Sequence, residues 1–518
     1  MRLHDFFDFH AREQGDADFA VCAGRTISYA EALRGVNRIA NALVRSGIQP
    51  GERVAILAKN CIEYMLFYFA ASKAGAVPVP LNYRLAAPEW RTIVQDAAPK
   101  LLLARGDLVR ALEPVRAELP SVAHWIALDA ASPGWTSFED WTRGAAETPP
   151  AVEVSADDDL YQMYTSGTTG RPKGAMLTHR AVNAQLQQIS AILPILRGDR
   201  YLIVAPVYHA AGGLAAFWTI RQGGTLVIME DFDPAAVVKV LSEGDISVAT
   251  LVPAMIQACL VAVPDVASRK YEKLRLVVYG ASPIGAETLR RAIDVFGCGF
   301  AQGYGMTETT AGATFLMPEE HLRALGDKPA LLLSCGRPLP GCEVRVVDAE
   351  GRDVPRGQTG EIWLRGPQLM RGYWNMPEAT AEAMAGGWMH TGDAGSLDDE
   401  GFLYIQDRVK DMIVSGAENV YPREVENALF EHPCVADVAV IGVPDARWGE
   451  VVKALVVLRP GKSATEDELI DFCRTRLAGF KRPRSVEFVS DLPRNPSGKV
   501  LKKDLREKYW KGHTRRVG

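Results

Sequence analysis

Apolar positions recur along the first hundred residues with two different periods. In ALRGVNRIANALVRSG, Leu33, Val36, Ile39, Ala40, Leu43 and Val44 return every three or four residues, the stripe of an amphipathic helix. Ser28 and Glu31 form an S-x-x-E capping box ahead of it, and Gly47 is placed to stop it. RVAIL then reads as a buried strand, a second apolar helix is expected from about Cys61 to Lys73, and GAVPVPL gives another strand. Strand, helix, strand is the unit of a mostly parallel sheet. The alternation returns with RYLIVAP, GTLVIM, ISVATLVP and LRLVVYG, each a short β-branched run, separated by helical segments such as AAVVKVLSEG and AETLRRAIDVFG. A large α/β body is therefore predicted.

The pattern changes near residue 340. GCEVRVVDAEGRDVPRGQTGEIWLRG is strand and Gly/Pro turn throughout, as in antiparallel hairpins. Beyond DRVKDMIVSGAENVYPREVENAL, short strands (VADVAVIGVP, VVKALVVL) alternate with helices over a stretch long enough for a separate small domain. The boundary is expected between Asp407 and Asp411, which divides the chain into residues 1–409 and 410–518.

Composition narrows the class of partner. The 518 residues are 47% hydrophobic and 23% charged, with a net charge of -5, which argues against a nucleic-acid polyanion and for a small ligand. Eight cysteines lie scattered with no CxxC pair, so neither a zinc ribbon nor a disulfide framework is indicated, and reduced thiols in a cytoplasmic protein are expected. The N-terminus carries acids where a signal peptide needs an apolar run. The longest lipid-like stretch, Tyr64 to Ala71, ends at Ser72 and Lys73, so no transmembrane segment is expected. The basic tail (Lys502, Lys503, Arg506, Lys508, Lys511, Arg515, Arg516) reads as a solvated, frayed terminus.

The stretch YTSGTTGRPKGAMLTH, Tyr164 to His179, is too polar for a core and too specific for a simple turn. Glycines at 167, 170 and 174 let backbone N–H groups approach a ligand, and Thr165, Ser166, Thr168 and Thr169 add hydroxyl donors. Lys173 brings a mobile point charge and Arg171 a planar fork, both suited to a polyphosphate. The Walker spacing is absent, so a P-loop is not what these residues spell. In QGYGMTE, Tyr304 is able to stack on a base, Thr307 to donate to a phosphate oxygen, and Glu308 to hold a hard Mg²⁺ ion. Gly280, Ala281 and Ser282 are small residues at a strand end, where an open α/β sheet puts its ligands. Asp393, after a glycine, suits a ribose diol, although alone it reads as a turn cap. His209, before AAGG, reads alone as a core histidine, and Lys499 as an exposed tail lysine.

The whole string YTSGTTGRPKGAMLTH closely resembles the signature loop of the AMP-forming adenylate synthetases, the superfamily of acyl-CoA ligases, firefly luciferases and peptide-synthetase adenylation domains. The family's other motifs follow in order: APVYHAAG, YGASP, QGYGMTE, GEIWLRGPQLMRGYW, HTGDAG, DRVKDMIVSGAENVYPREVE and PRNPSGKVLKKDLR. The resemblance implies a large N-terminal domain of α/β sheets plus a small β-barrel-like region, and a small mobile C-terminal α+β domain. It implies ATP, Mg²⁺ and coenzyme A, with ATP held by Thr165, Ser166, Gly167, Thr168, Thr169, Lys173, Gly280, Ala281, Ser282, Gln302, Gly303, Tyr304, Gly305, Thr307, Asp393, Arg408 and Lys499, and the metal by Glu308 and Thr169. It assigns His209, Gly212, Gly213, Ala281 and Gly303 to the acyl site, with His209 as a gate on the path of the carboxylate. Small residues at 210 to 213 and 311 to 313 are read as room for a bulky acyl group.

In the family the adenylation lysine occupies the position of Lys499; a preorganised ammonium beside the α-phosphate is worth roughly 3 to 4 kcal/mol. Lys410 matches the family's hinge, and Gly416 the wall of the pantetheine tunnel, with Ala417 where many members carry a second glycine. The overall likeness is greatest to bacterial fatty-acyl-CoA ligases, which implies a medium- or long-chain fatty acid, ATP and CoA as small-molecule partners and is compatible with a homodimer. An aryl acid such as benzoate or cinnamate is the nearest alternative. A carrier-protein-loading adenylation module ranks lower, because no Asp follows PVYH to anchor an amino group. A nucleotide-binding scaffold or luciferase-like oxidase ranks lower still.

Overall fold

The computed structural model describes residues 1–129, 132–165, 172–282, 284–408, 411–415, 418–445, 448–494 and 500–511, without the side chains of 407, 408, 418, 419 and 475. The first expected helix forms as Tyr29–Arg45, and its capping box is present, with Ser28 Oγ accepting from Glu31 N–H. Its buried face runs through Ala32, Val36, Ile39, Ala40 and Leu43, whereas Val44 is exposed and does not belong to the stripe. Arg53–Leu57 and Val77–Pro80 pair in parallel, joined through Ile62–Ala74, as the strand–helix–strand pattern requires. That helix buries every residue except Glu63, because it is enclosed by other protein elements on all sides. Among the described residues no helix is long and apolar enough to cross a membrane.

Two sheets form the large α/β body. One holds five parallel strands: Val77–Pro80, Arg53–Leu57, Leu101–Ala104, His124–Ala127 and Thr136–Ser137. The other holds nine. Its six parallel strands run in the order Gly299–Tyr304, Leu276–Gly280, Val248–Thr250, Arg200–Ile203, Thr225–Ile228 and Asp18–Cys22. Antiparallel strands close both of its edges, Arg25–Ser28 at one and Thr314–Leu316 with Arg337–Pro338 at the other. The strands match the β-branched runs, and their buried residues meet helices such as Pro234–Glu243 and Ala286–Phe296.

The hairpin region forms a four-stranded antiparallel sheet: Glu343–Val347, Gly360–Arg365, Met389–Leu397 and Leu403–Arg408. It is sewn to the nine-stranded sheet by backbone bonds, Cys335 N–H donating to Leu403 O at 2.9 Å and Leu403 N–H to Gly336 O at 2.8 Å. A further, smaller sheet holds Asp159–Thr165, Lys173–Thr178 and Gly372–Tyr373.

Beyond residue 411 the strands build their own sheet, with Val435–Asp445 against Gly449–Leu458 and Ser485–Phe488 alongside, over separate apolar clusters. As far as Lys511 the C-terminal basic segment corrects the expectation of a frayed tail; Arg515 and Arg516 lie outside the described residues. Lys502–Trp510 is a helix that docks on this sheet through Leu505 and Tyr509, and Trp510 Nε1 donates to Gly442 O at 2.9 Å. Its cations have partners far away in sequence: Lys502 with Glu426 at 2.9 Å and Arg506 with Asp411 at 2.6 Å.

Gly336 carries the seam between the two sheets. Its φ is +86°, and a Cβ there would lie 1.9 Å from the Phe315 carbonyl carbon, so both backbone conformation and space exclude a side chain. Gly357 has a similar φ of +80° but open space around it. Gly336→Ala is expected to destabilise the fold by about 3 kcal/mol or more, against ~1 kcal/mol for Gly357→Ala. Chemical denaturation of the two variants measures this, and equal losses would contradict the steric account.

Candidate active site

The site grows from the carboxyl ends of two neighbouring parallel strands. Leu276–Gly280 and Gly299–Tyr304 pair so that Gly280 lies opposite Gly303. A Cβ on Gly280 would stand 2.3 Å from Gly303 O, and one on Gly303 would stand 2.9 Å from the Phe315 ring. Glycine at both positions is thus fixed by close packing. Immediately beyond, Ala281 takes a φ of +65°, and Thr310 and Ala311 take +52° and +72°. Left-handed conformations in residues with a Cβ cost free energy and gather where a backbone is held for function. Ser282 is half-buried beside Ala281, at the strand end where it was expected.

From the end of the second strand, Tyr304 turns inward and its hydroxyl donates to Asp393 Oδ2 at 2.8 Å, across 89 residues. Both are buried. Asp393 lies on Met389–Leu397, where its N–H donates to Thr391 Oγ1 at 3.0 Å and its backbone pairs with Arg408 on the neighbouring strand. The Arg408 side chain lies outside the described residues. Gln302, two residues before Tyr304 on the same strand, is half-buried, and its Oε1 accepts from the Tyr279 hydroxyl at 3.2 Å. An aromatic ring and a carboxylate are therefore joined at one point, the combination suited to a base and a ribose.

A second cluster forms on the next turn. Glu308 is buried on the short helical turn Thr307–Thr309, and its Oε1 accepts from the Tyr373 hydroxyl at 2.7 Å. Its backbone O also accepts from Met370 N–H at 2.8 Å, which ties the turn to the segment that carries Tyr373. Lys173 places its ammonium 4.9 Å from the centre of the same Tyr373 ring. One tyrosine therefore holds an anion by its hydroxyl and a cation by its face. Tyr373 was not among the residues singled out from sequence, though its motif was; the signal is a pairing across 65 residues that no local pattern reveals. Thr307 is half-buried beside Glu308, and Gly305 presses on Ala311 O, 2.5 Å from where its Cβ would be.

Lys173 begins the strand Lys173–Thr178 and pairs with Thr165, the last residue of Asp159–Thr165. The two strands that flank the glycine-rich stretch are thus antiparallel neighbours, and the second of them pairs with Gly372–Tyr373. Ser166, Gly167, Thr168 and Thr169 lie outside the described residues, as do Lys410, Gly416 and Lys499.

His209 precedes the helix Ala210–Arg221, with its ring 4.4 Å from that of Tyr208. Its Nε2 is shielded from solvent and has no hydrogen-bond partner among the described residues. Burial pushes its pKa down to about 4, and Arg84 adds to this, so the ring is neutral at ordinary pH. The small residues that follow do not all leave room. A Cβ on Gly212 would stand 2.3 Å from Pro206 O, so that glycine serves a backbone approach, and Gly213 faces Val207 O at 3.3 Å and Met163 Cε at 3.6 Å.

As to a metal, Glu308 supplies a hard, buried carboxylate, and among the described residues no three acidic, histidine or cysteine side chains converge on one point. That donor set fits Mg²⁺ shared with phosphate oxygens, the usual way this ion is held, and does not fit an all-protein cage.

Comparison with known proteins accords with this geometry. A family model described as AMP-binding enzyme matches residues 7–374, and one described as AMP-binding enzyme C-terminal domain matches residues 424–499. The chain is 39% identical to the fatty acid–[acyl-carrier-protein] ligase ScoC of Streptomyces coeruleorubidus over 98% of this chain and 96% of that protein. It is 40% identical to a feruloyl-CoA synthase of an Amycolatopsis species over 94% of each. The structure superposes on ATP-bound MatB from Rhodopseudomonas palustris with a TM-score of 0.89 at 32% identity, covering 99% of this chain and all of that one.

His209 shares its buried, neutral state with His4, lowered to about 3, and with His179 and His321, each lowered to about 4, all chiefly by desolvation. An unfolded chain takes up protons at these rings below about pH 6.5, whereas the folded chain does so only near pH 3 to 4. Stability is therefore full above pH 6.5 and is expected to fall as pH drops from there towards 4. Melting temperature followed across this range checks it, with His209→Gln flattening part of the slope; an unchanged melting temperature from pH 7 to pH 5 would contradict the neutral assignment.

Proposed function

The chain belongs to the AMP-binding enzyme family and is an AMP-forming acid–thiol ligase; from that premise we propose that it activates a medium- or long-chain fatty acid and transfers it to coenzyme A. The observation that carries the site assignment is the paired arrangement of Tyr304 with Asp393 and of Glu308 with Tyr373 and Lys173 around the Gly280–Gly303 strand ends. In this reading adenine stacks on Tyr304 and lies over Gly280, Ala281 and Ser282, while Asp393 and Arg408 accept and steady the ribose. The phosphates lie along the hydroxyls of Thr165, Ser166, Thr168, Thr169 and Thr307, with Lys173 as counter-charge. Glu308 and Thr169 would hold Mg²⁺, which when bound neutralises phosphate charge.

The acid enters past His209, whose neutral ring can hydrogen-bond a carboxylate without fixing it as a salt. A carboxylate oxygen attacks the α-phosphorus, the bond to the bridging oxygen breaks, and pyrophosphate leaves. Lys499 meets the charge that accumulates on the phosphoryl oxygens. The thiol of CoA then loses its proton and its sulfur attacks the acyl carbon, so that AMP departs with the electron pair of the broken bond. The two steps need different surroundings. We assign them to two poses of the unit from 410 onward, turning at Lys410, with Gly416 beside the thiol path in the second.

For the acid, the likeness to a fatty acid ligase supports an aliphatic chain, whereas the comparable likeness to a feruloyl-CoA synthase favours an aryl acid as the second reading. A panel of aliphatic and aromatic acids scored by CoA-dependent AMP release is expected to show the highest kcat/KM with a C8–C16 chain; a cinnamate or benzoate ahead of every aliphatic acid would replace the first reading by the second. Lys499→Ala is expected to lower acyl-AMP formation by about 100-fold or more, while still converting supplied acyl-AMP to acyl-CoA. Equal loss of both half-reactions would count against the two-pose account.

A further inference from the structure

The short strand Gly372–Tyr373 pairs with Lys173–Thr178, and Tyr373 lies directly opposite Ala175. Side chains two apart on a strand share a face, so Lys173 stands diagonally across from Tyr373 on that face, with its ammonium 4.9 Å from the ring centre. The segment that carries the ring is tied down on both sides. Tyr373 N–H donates to Thr380 Oγ1 at 2.8 Å, and the next residue, Trp374, donates through its backbone to Gly174 O at 2.8 Å and through Nε1 to Asp96 O at 3.1 Å. The Arg53 guanidinium covers the Trp374 ring at 3.5 Å. Glu308 meets the Tyr373 hydroxyl from a third segment, the turn Thr307–Thr309. A buried phenol in such a place is one of two things: a filler that gives a buried carboxylate its hydrogen bond, or the part that sets where carboxylate and ammonium stand.

We propose that Tyr373 is a positioning residue of the phosphate end of the site, with two separable jobs: its hydroxyl aims the Glu308 carboxylate at a divalent cation, and its ring face holds the Lys173 ammonium for phosphate oxygens. The inference rests on the reading of this site as the ATP site and deepens it. A hydrogen bond of 2.7 Å to a carboxylate is charge-assisted and directional, so it fixes Oε1 and with it the plane of the group. Partners of this kind orient metal-binding carboxylates, and their loss typically weakens metal binding by about 10- to 100-fold. An aromatic face attracts a cation without neutralising it, so the ammonium keeps its charge for an anion. Hydroxyl and ring act on different groups, and removing one leaves the effect of the other in place. A filler behaves differently, since its loss disturbs the site equally with and without metal.

Equilibrium binding of ATP to the full-length protein, measured by calorimetry with Mg²⁺ and again in EDTA, separates the two jobs. Tyr373→Phe is expected to weaken binding about 10-fold with Mg²⁺ and to leave binding in EDTA unchanged. Tyr373→Leu is expected to weaken binding in EDTA as well, by about 3-fold. In a Lys173→Met background that added loss is expected to vanish, because the ring then has no ammonium to hold. Tyr373→Phe keeps the ring and its packing, which guards against a folding defect in Tyr373→Leu. A loss of the same size in both media for Tyr373→Phe, or no loss in either, overturns the role of the hydroxyl. A Tyr373→Leu effect in EDTA that persists in the Lys173→Met background overturns the role of the ring. Failure of the wild type to bind ATP in either medium overturns the nucleotide reading itself, and this inference with it.

Discussion

The hydrogen bond from Tyr304 to Asp393 is the contact on which the arrangement of the site depends, because its partners belong to different sheets. Tyr304 ends a parallel strand of the nine-stranded sheet, and Asp393 lies within the four-stranded antiparallel one. They meet because the backbone at Cys335 and Gly336 passes from one sheet to the other and bonds Leu403 from both directions. A side chain at 336 would collide with Phe315, the same residue whose ring packs on Gly303. That contact lies at the edge of the nine-stranded sheet itself, so the glycine whose carbonyl receives Leu403 N–H also bears, through Phe315, on the strand end beneath the site. The bond at 2.8 Å is short and directed to a carboxylate, the kind that fixes orientation as well as contributing energy.

The phosphate side follows the same logic with different elements. Glu308 and Lys173 carry opposite charges on separate segments, and Tyr373 spaces them by using its hydroxyl for one and its ring face for the other. A direct ion pair would neutralise both groups against each other and leave neither for a ligand. Set on either side of a ring, the carboxylate remains suited to a cation and the ammonium to phosphate oxygens.

Much of the fold was legible because local pattern and tertiary role agree. The β-branched runs from Arg53–Leu57 to Leu276–Gly280 became strands, and the Ser28–Glu31 box starts the helix it marks. The errors have a common cause in partners distant along the chain. Lys502 and Arg506 read as a solvated tail until Glu426 and Asp411 are brought beside them by folding. Tyr373 gains its role only from Glu308. Gly212 looked like spare volume, whereas the Pro206 carbonyl already occupies the space its side chain would need. In NAQLQQ, Gln188 reads like its neighbours until folding brings the carbonyl of Pro340 and the side-chain oxygen of Gln368 beside its Nε2.

Distant pairing also bears on how such a site meets a ligand. The groups proposed to meet the nucleotide are already paired with one another, Asp393 with Tyr304 and Glu308 with Tyr373, so a common co-substrate finds them oriented in advance. Preorganised pairs of this kind suit the part of a reaction that never varies, because groups already held by one another need not be ordered again in each turnover.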